Sequence, residues 1–223
     1  MGCKSDHRPQ TADRRNLSTK YSCSGRRSLV GGRLDDWEAR WAPYDEPTYQ
    51  TALSYVQPGD IVLDIGAGDL RLARRLANLT QWVYAIERQP GLLLNQPPLP
   101  DNLTVLCADA RFVAWPKGIT LAVLLMRHCT HIGLYVARLR AAGCRRLITN
   151  ARWGMDVELM DLGPRAAWAT VDFGWYACTC GQTGFVPGPP EQLSDEERME
   201  LVVEVENCPA CTPGTIDQER NNG

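Results

Sequence analysis

A chain of 223 residues, 44% hydrophobic and 22% charged, is long enough for one buried core with attachments and short for two full domains. It holds no run of eighteen apolar residues, which excludes a helical membrane span, and its start lacks an apolar signal segment, so an intracellular, cytoplasmic protein is expected. The net charge of −2 conceals an asymmetry: residues 1–33 carry eight Lys and Arg against two Asp, net +6, leaving 16 basic against 24 acidic residues, net −8, in the rest. That leader is polar, has no apolar periodicity and is expected to be loose; a basic segment on an acidic body also suits contact with RNA or another polyanion. Its opening, Met1-Gly2-Cys3-Lys4-Ser5-Asp6, departs from the acylation pattern because Asp6 stands where Ser or Thr is needed.

In chain order, Leu34–Trp41 reads as a short helix with Trp37 and Trp41 on one face. Pro47 opens a second helix over Thr48–Val56, where Tyr49, Ala52, Leu53 and Val56 share a face. Pro58-Gly59-Asp60 turns the chain into a buried strand, Val62-Leu63-Asp64-Ile65, followed by the turn Gly66-Ala67-Gly68 and a helix over Arg71–Ala77. Trp82–Glu87, Leu103–Ala108, Ile119–Leu125 and Arg146–Thr149 read as four more strands, with a helix over Thr130–Ala142 stopped by Gly143. Pro90–Pro100 is Pro/Leu-rich, with a brief helical turn at Gly91–Leu94, and residues 154–171 give only an indistinct αβ pattern. Continuous apolar strands alternating with helices predict an α/β fold, a doubly wound, mainly parallel sheet with helices on both faces.

Three successive strands close on an acid: Asp64, Glu87 and, just past the third, Asp109. Glycines at 66 and 68 let the backbone approach a ligand where a side chain would collide. A carboxylate at the tip of the second strand can accept both hydroxyls of a ribose, and Asp109 is placed to meet an adenine amino group. The dinucleotide fingerprint fits less well, because G-x-G-x-x-G would need glycine where Arg71 stands.

With these residues the chain resembles the class I S-adenosylmethionine-dependent methyltransferases. Asp64-Ile65-Gly66-Ala67-Gly68 is similar to their first motif, Glu87 to their ribose-binding acid, and Cys107-Ala108-Asp109-Ala110 to their adenine-contacting segment. The resemblance runs from Tyr44 to Trp153. It implies a Rossmann-like sheet, S-adenosylmethionine held by Asp64, Gly66, Ala67, Gly68, Glu87, Asp109 and Ala110, and methyl transfer as the reaction. Leu70 departs from the pattern, standing where many members have a third glycine; placed inside the helix, it is expected to alter packing more than binding.

Nine cysteines divide into two kinds. Cys107 and Cys144 adjoin strands and are expected to pack as small apolar residues. Cys178-Thr179-Cys180-Gly181 and Cys208-Pro209-Ala210-Cys211 form two knuckles that together offer four thiolates to a structural zinc ion, a small C-terminal zinc ribbon. Trp175-Tyr176 and Val202–Glu206 read as its strands. Such sites supply about 10–16 kcal/mol, enough to fold a lobe without a real core. Disulfides are not expected in an intracellular chain. The organisation that follows is a leader over 1–33, a cofactor-binding domain over 34–172, a zinc-ribbon-like module over 173–212 and a loose tail over 213–223.

The methyl acceptor must sit beyond the fourth strand, where the sequence reads Met126-Arg127-His128-Cys129-Thr130-His131. The Asn/Asp-x-x-aromatic motif of enzymes that methylate base amines is absent there; Asn150-Ala151-Arg152-Trp153 has that flavour but follows the fifth strand. His128 is the candidate general base and Arg127 the candidate anchor for an anionic or carbonyl group. Against the catalytic reading, a histidine at a strand end is often a helix-capping or core-satisfied residue. Cys129 lacks the flanking acid that covalent catalysis would need. Tyr44 and Tyr49 either cover the cofactor, stack on a base, or pack in the core. A zinc ribbon, a basic leader and seven tryptophans favour RNA, or a ribosome-associated partner, as acceptor ahead of protein, with a loose likeness to ribosomal RNA adenine dimethyltransferases. A small-molecule acceptor, or a non-catalytic protein docking through its ribbon, are the alternatives.

Overall fold

The computed structural model describes residues 42–152, 156–189, 191 and 201–211. The leader, the helix expected over Leu34–Trp41, Trp153 and the tail beyond Cys211 lie outside them.

The first helix, α1 (Glu46–Ser54), starts two residues before the expected Thr48 because Asp45 caps it, accepting the Thr48 N–H at 3.0 Å. Five parallel strands follow: β1 (Ile61–Ile65), β2 (Trp82–Glu87), β3 (Leu103–Cys107), β4 (Leu121–Leu124) and β5 (Arg146–Thr149). Helix α2 (Arg71–Ala77) links β1 to β2, and α3 (Ile132–Ala141) links β4 to β5. β6 (Glu158–Asp161) adds antiparallel to β5, giving the order β3-β2-β1-β4-β5-β6, the expected doubly wound Rossmann-like sheet. The β2–β3 connection makes only a 3₁₀ turn, Pro90–Leu93, because prolines at 90, 97, 98 and 100 forbid a longer helix. Arg74 pins that segment through the Pro97 and Pro98 carbonyls.

Helices on both faces make strand side chains alternate between two apolar clusters. Val62, Val83, Leu121 and Ile148 pack with α1 and α2, while Leu63, Ile86, Leu124 and Leu147 pack with α3. Each buried side chain of this size contributes about 1.5–3 kcal/mol. The strand order reverses between β1 and β4, and such a switch point opens a crevice at the carboxyl ends of the strands.

Leu70 does not lie inside a helix. It is the N-cap of α2, in the left-handed region at φ 66° and 1% exposed. A glycine would take that conformation freely; leucine holds it at a cost of roughly 1–2 kcal/mol, offset by its burial.

A second sheet contains β7 (Ala166–Ala167), β8 (Gly174–Cys178), β9 (Thr183–Val186) and β10 (Val202–Glu206), in the order β7-β10-β8-β9. β8 and β9 form an antiparallel hairpin, and β10 runs parallel to both β8 and β7. This sheet begins at Ala166, ahead of the boundary expected at 172–173, so the indistinct 154–171 stretch divides between the two sheets. Arg152 joins them. Its fully buried guanidinium meets Glu158 of β6 at 2.8 Å and Glu204 of β10 at 2.7 Å, each bidentately. Burial opposes the charge on Arg152, but those two carboxylates raise its pKa. Among the described residues no helix is long and apolar enough to cross a membrane.

Candidate active site and metal centre

The crevice at the switch point holds a cavity of about 420 Å³. Asp64, Gly66, Ala67, Glu87, Asp109, Ala110, Arg127 and His128 all border it; Gly68 stands one step behind the wall.

The glycine turn is built by backbone bonds. The N–H groups of Gly66 and Ala67 both donate to the Ile86 carbonyl, folding the turn back on β2. Gly66 is left-handed at φ 76°, and a Cβ there would lie 2.8 Å from the Met126 methyl, so glycine keeps this wall open. Behind the turn, Gly68 donates to Glu87 Oε2 at 2.8 Å, while Gln89 N–H donates to Oε1 at 2.7 Å. An ionised carboxylate offers about four acceptor positions, so Glu87 retains capacity for ligand hydroxyls.

Asp64 is different. It is 3% exposed, and its Oδ2 has no hydrogen-bond partner among the described residues. Burial, then the neighbouring Glu87 charge, pushes its carboxyl up to about 7. An orphaned buried acceptor facing a cavity calls for a cationic or donor group from a ligand.

Asp109 is held by Arg111, which chelates it through Nε and Nη2 and keeps its carboxyl below the usual range. Arg111 also reaches His131 Nε2 at 3.3 Å, which makes that nitrogen the acceptor. Arg138 of α3 fixes the same loop by donating to the carbonyls of Ala110, Arg111 and Val113, with its guanidinium 4.1 Å from the Trp115 ring centroid. Sequence reasoning missed both arginines. Arg138 carried a faint signal, an arginine between Tyr135 and Leu139 on the apolar face of its helix.

Past β4, Arg127 and His128 are exposed at the cavity mouth, and His128 is left-handed at φ 61°. Such conformations are uncommon outside glycine and concentrate at functional sites. Tyr44 closes over this edge: its hydroxyl accepts the Arg127 N–H at 3.0 Å, and the Arg127 guanidinium lies 5.1 Å from its ring centroid. Tyr49 is 7% exposed and belongs to the core, its hydroxyl accepting the Tyr44 N–H. Phe112, 80% exposed, stands beside Arg111 just past the Asp109 loop. Cys144 is fully buried, and burial raises its thiol, in keeping with a packing role. Asn150 is fully buried after β5, with both amide atoms unpaired among the described residues.

In the second sheet, Cys178 ends β8 and Cys180 sits in the β8–β9 turn, and Cys208 and Cys211 follow β10. Their four sulfurs lie within 4.8 Å of one another, with Cys178–Cys211 at 3.5 Å, Cys180–Cys208 at 3.7 Å and Cys208–Cys211 at 3.8 Å. Four thiolates about 2.3 Å from a tetrahedral ion stand roughly 3.8 Å apart. The set therefore has the dimensions of a metal site. Burial works to raise the Cys178 thiol, but backbone N–H groups of Cys180 and Cys208 outweigh it and bring it to about 7. Burial pushes Cys180 up to about 11, with Cys178 adding to it, and burial together with the Cys178 and Cys180 sulfurs raises Cys211. One sulfur is thus readily ionised, and a divalent cation is what would ionise the rest.

No protein-family model matches the chain, and no curated protein does. Solved structures are similar over part of it. A precorrin-8w decarboxylase from Methanobacterium thermoautotrophicum is 21% identical, covering 50% of this chain and 65% of its own, at a TM-score of 0.42. A tRNA methyltransferase from Aquifex aeolicus is 19% identical over 48% of this chain and 47% of its own, at 0.41. A dimethyladenosine transferase from Plasmodium falciparum is 17% identical over 47% of this chain and 41% of its own, at 0.39. This chain thus spans less than two thirds of each of those proteins, and what it can do chemically has to be read from its own cavity.

Proposed function

We propose that the protein is an S-adenosylmethionine-dependent methyltransferase with a macromolecular acceptor, RNA ahead of protein, and a structural zinc ion in its four-thiol site. The observation that carries the reading is the buried Asp64 carboxyl, whose Oδ2 has no partner among the described residues, facing the same cavity as Glu87 and Asp109 at the switch point. Asp64 would hold the cationic amino-acid end of the cofactor, Glu87 its ribose hydroxyls, and the Asp109–Ala110 segment its adenine. The cofactor, when bound, supplies a methyl group on a sulfonium. Displacement of that methyl needs chiefly a well-placed acceptor and a water-poor setting. Met126 and Tyr44 would shape the acceptor opening, Arg127 would anchor an anionic group, and His128 would take the acceptor's proton.

The RNA preference rests on the cationic leader and on a mouth where Arg111, Arg127 and His128 stand with Tyr44 and the exposed Phe112 ring. The zinc reading rests on the sulfur spacings and on four cysteines that form no disulfide. Incubating the protein with methyl-labelled cofactor and cell extract, then fractionating, should place the label in RNA. Label in small molecules would move the acceptor to that class, and tight cofactor binding without transfer would make the protein a non-catalytic binder. Elemental analysis of reduced protein should find one zinc per chain; none would end the metal assignment.

A further inference from the structure

We infer that the four-thiol metal centre sets the shape of the ligand cavity through α3, with Ile132 and Arg138 as its positioning residues. The knuckle backbone lies directly on the first turn of that helix. A Cβ on Gly181, left-handed at φ 95°, would fall 2.4 Å from Ile132 Cγ2, and one on Gly133 would fall 3.4 Å from Cys180 Cα. Gly181 is what permits this approach, while a Cβ on Gly133 would rest at ordinary contact distance from the knuckle. Ile132 is 3% exposed and begins α3 directly after the loop bearing Arg127 and His128. One turn on, Tyr135 lines the cavity, and one turn further Arg138 holds the carbonyls of the Asp109–Val113 loop. Both edges of the cavity past β3 and β4 therefore hang on one helix.

The last turn of α3 is clamped to the same module. Arg140 donates to the Leu162 and Gly163 carbonyls and pairs with Glu206 of β10. The module has little apolar core of its own: Cys178, Val205 and Cys208 are its buried cluster among the described residues. A lobe so built depends on its metal for order, so losing the ion releases the surface on which α3 rests. The inference takes the ligand's identity from the methyltransferase reading, but the coupling itself is between metal and cavity.

The test compares the protein as purified, the same protein stripped by a chelator under reduction, and the stripped protein reloaded with zinc. S-adenosylhomocysteine affinity is read by calorimetry and backbone hydrogen exchange by mass spectrometry. Stripping should weaken binding by at least about fivefold, the lower end for coupled sites. It should also speed exchange over 108–113 and 126–138 while β1 and β2 stay protected, and reloading should reverse both. Ile132→Ala should weaken binding similarly with zinc retained, and Ile132→Val should restore it. Exchange changes confined to 174–211, with affinity unchanged, would overturn the inference, as would a purified chain whose exchange ignores added zinc. If S-adenosylhomocysteine binds neither form yet 108–113 still responds to the metal, the coupling stands and the choice of cofactor falls.

Discussion

Cofactor affinity measured against pH reads the protonation of Asp64. Its carboxyl sits at about 7 because burial, and then the Glu87 charge, disfavours the ionised form. A cationic ligand group pairs only with that ionised form, so below pH 7 binding must first expel a proton. Each pH unit then costs about 1.4 kcal/mol, or roughly tenfold in affinity. Above pH 7 the carboxylate is already formed and the profile flattens. Between pH 8 and pH 5.5 the loss comes to roughly thirtyfold. Calorimetry in buffers of differing ionisation heat should show about one proton released on binding near pH 6 and few at pH 8. Asp64→Asn keeps the shape and removes the charge; its affinity at pH 8 should fall at least about thirtyfold below the wild type and should not vary with pH. A flat wild-type profile, or the same slope in Asp64→Asn, would refute the assignment of Asp64 to the ligand's cation.

The same carboxyl makes a stability prediction of opposite advantage. Its folded pKa lies above the ordinary 3.8, so its favourable contribution is present below that value and is lost as pH rises through about 7. Ligand-free Asp64→Asn should therefore be more stable than wild type at pH 8, by up to about 4 kcal/mol, and equal to it at pH 4; denaturant melts at the two pH values test this. At Leu70, Leu70→Gly should be less damaging than Leu70→Ala by about 1 kcal/mol, the reverse of ordinary helix preference, because φ is 66° there; urea titration giving the usual order would contradict the strained cap. Arg152→Ala leaves the Glu158 and Glu204 carboxylates facing each other and should cost about 3–5 kcal/mol. Arg152→Lys should recover only part of that, since an ammonium cannot chelate both acids; full recovery in thermal melts would reduce the triad to simple charge.

The five parallel strands were legible because each is a continuous apolar run, the pattern that burial on both faces demands. The acids Asp64, Glu87 and Asp109 were legible because strand ends in such a sheet share one edge. What escaped was set by distant partners. Leu70 looks helical in sequence, and only its left-handed φ shows that it ends the turn. Arg111 engages Asp109 from two residues away, where an arginine is ordinary. Arg152 finds Glu204 across 52 residues. The knuckles were legible through local spacing, but their seat on α3 depends on Gly181, which carries no chemistry to notice.

Two aspartates at opposite ends of β1 show why the site lies where it does. Asp60, just before the strand, is 4% exposed and fully engaged: it accepts from Arg146 at 3.0 Å, from the Thr120 hydroxyl at 2.8 Å and from the Gln57 N–H at 2.8 Å. Asp64, four residues later, is buried as deeply, has no ion pair among the described residues and lies near a second carboxylate. A sheet that needed only stability would treat both ends alike, since an unpaired buried carboxylate opposes folding. At the amino end the fold satisfies its acid with its own side chains. At the carboxyl end it leaves an acceptor and a cavity together, and on the proposed reading a cationic or donor group of the ligand supplies the partner.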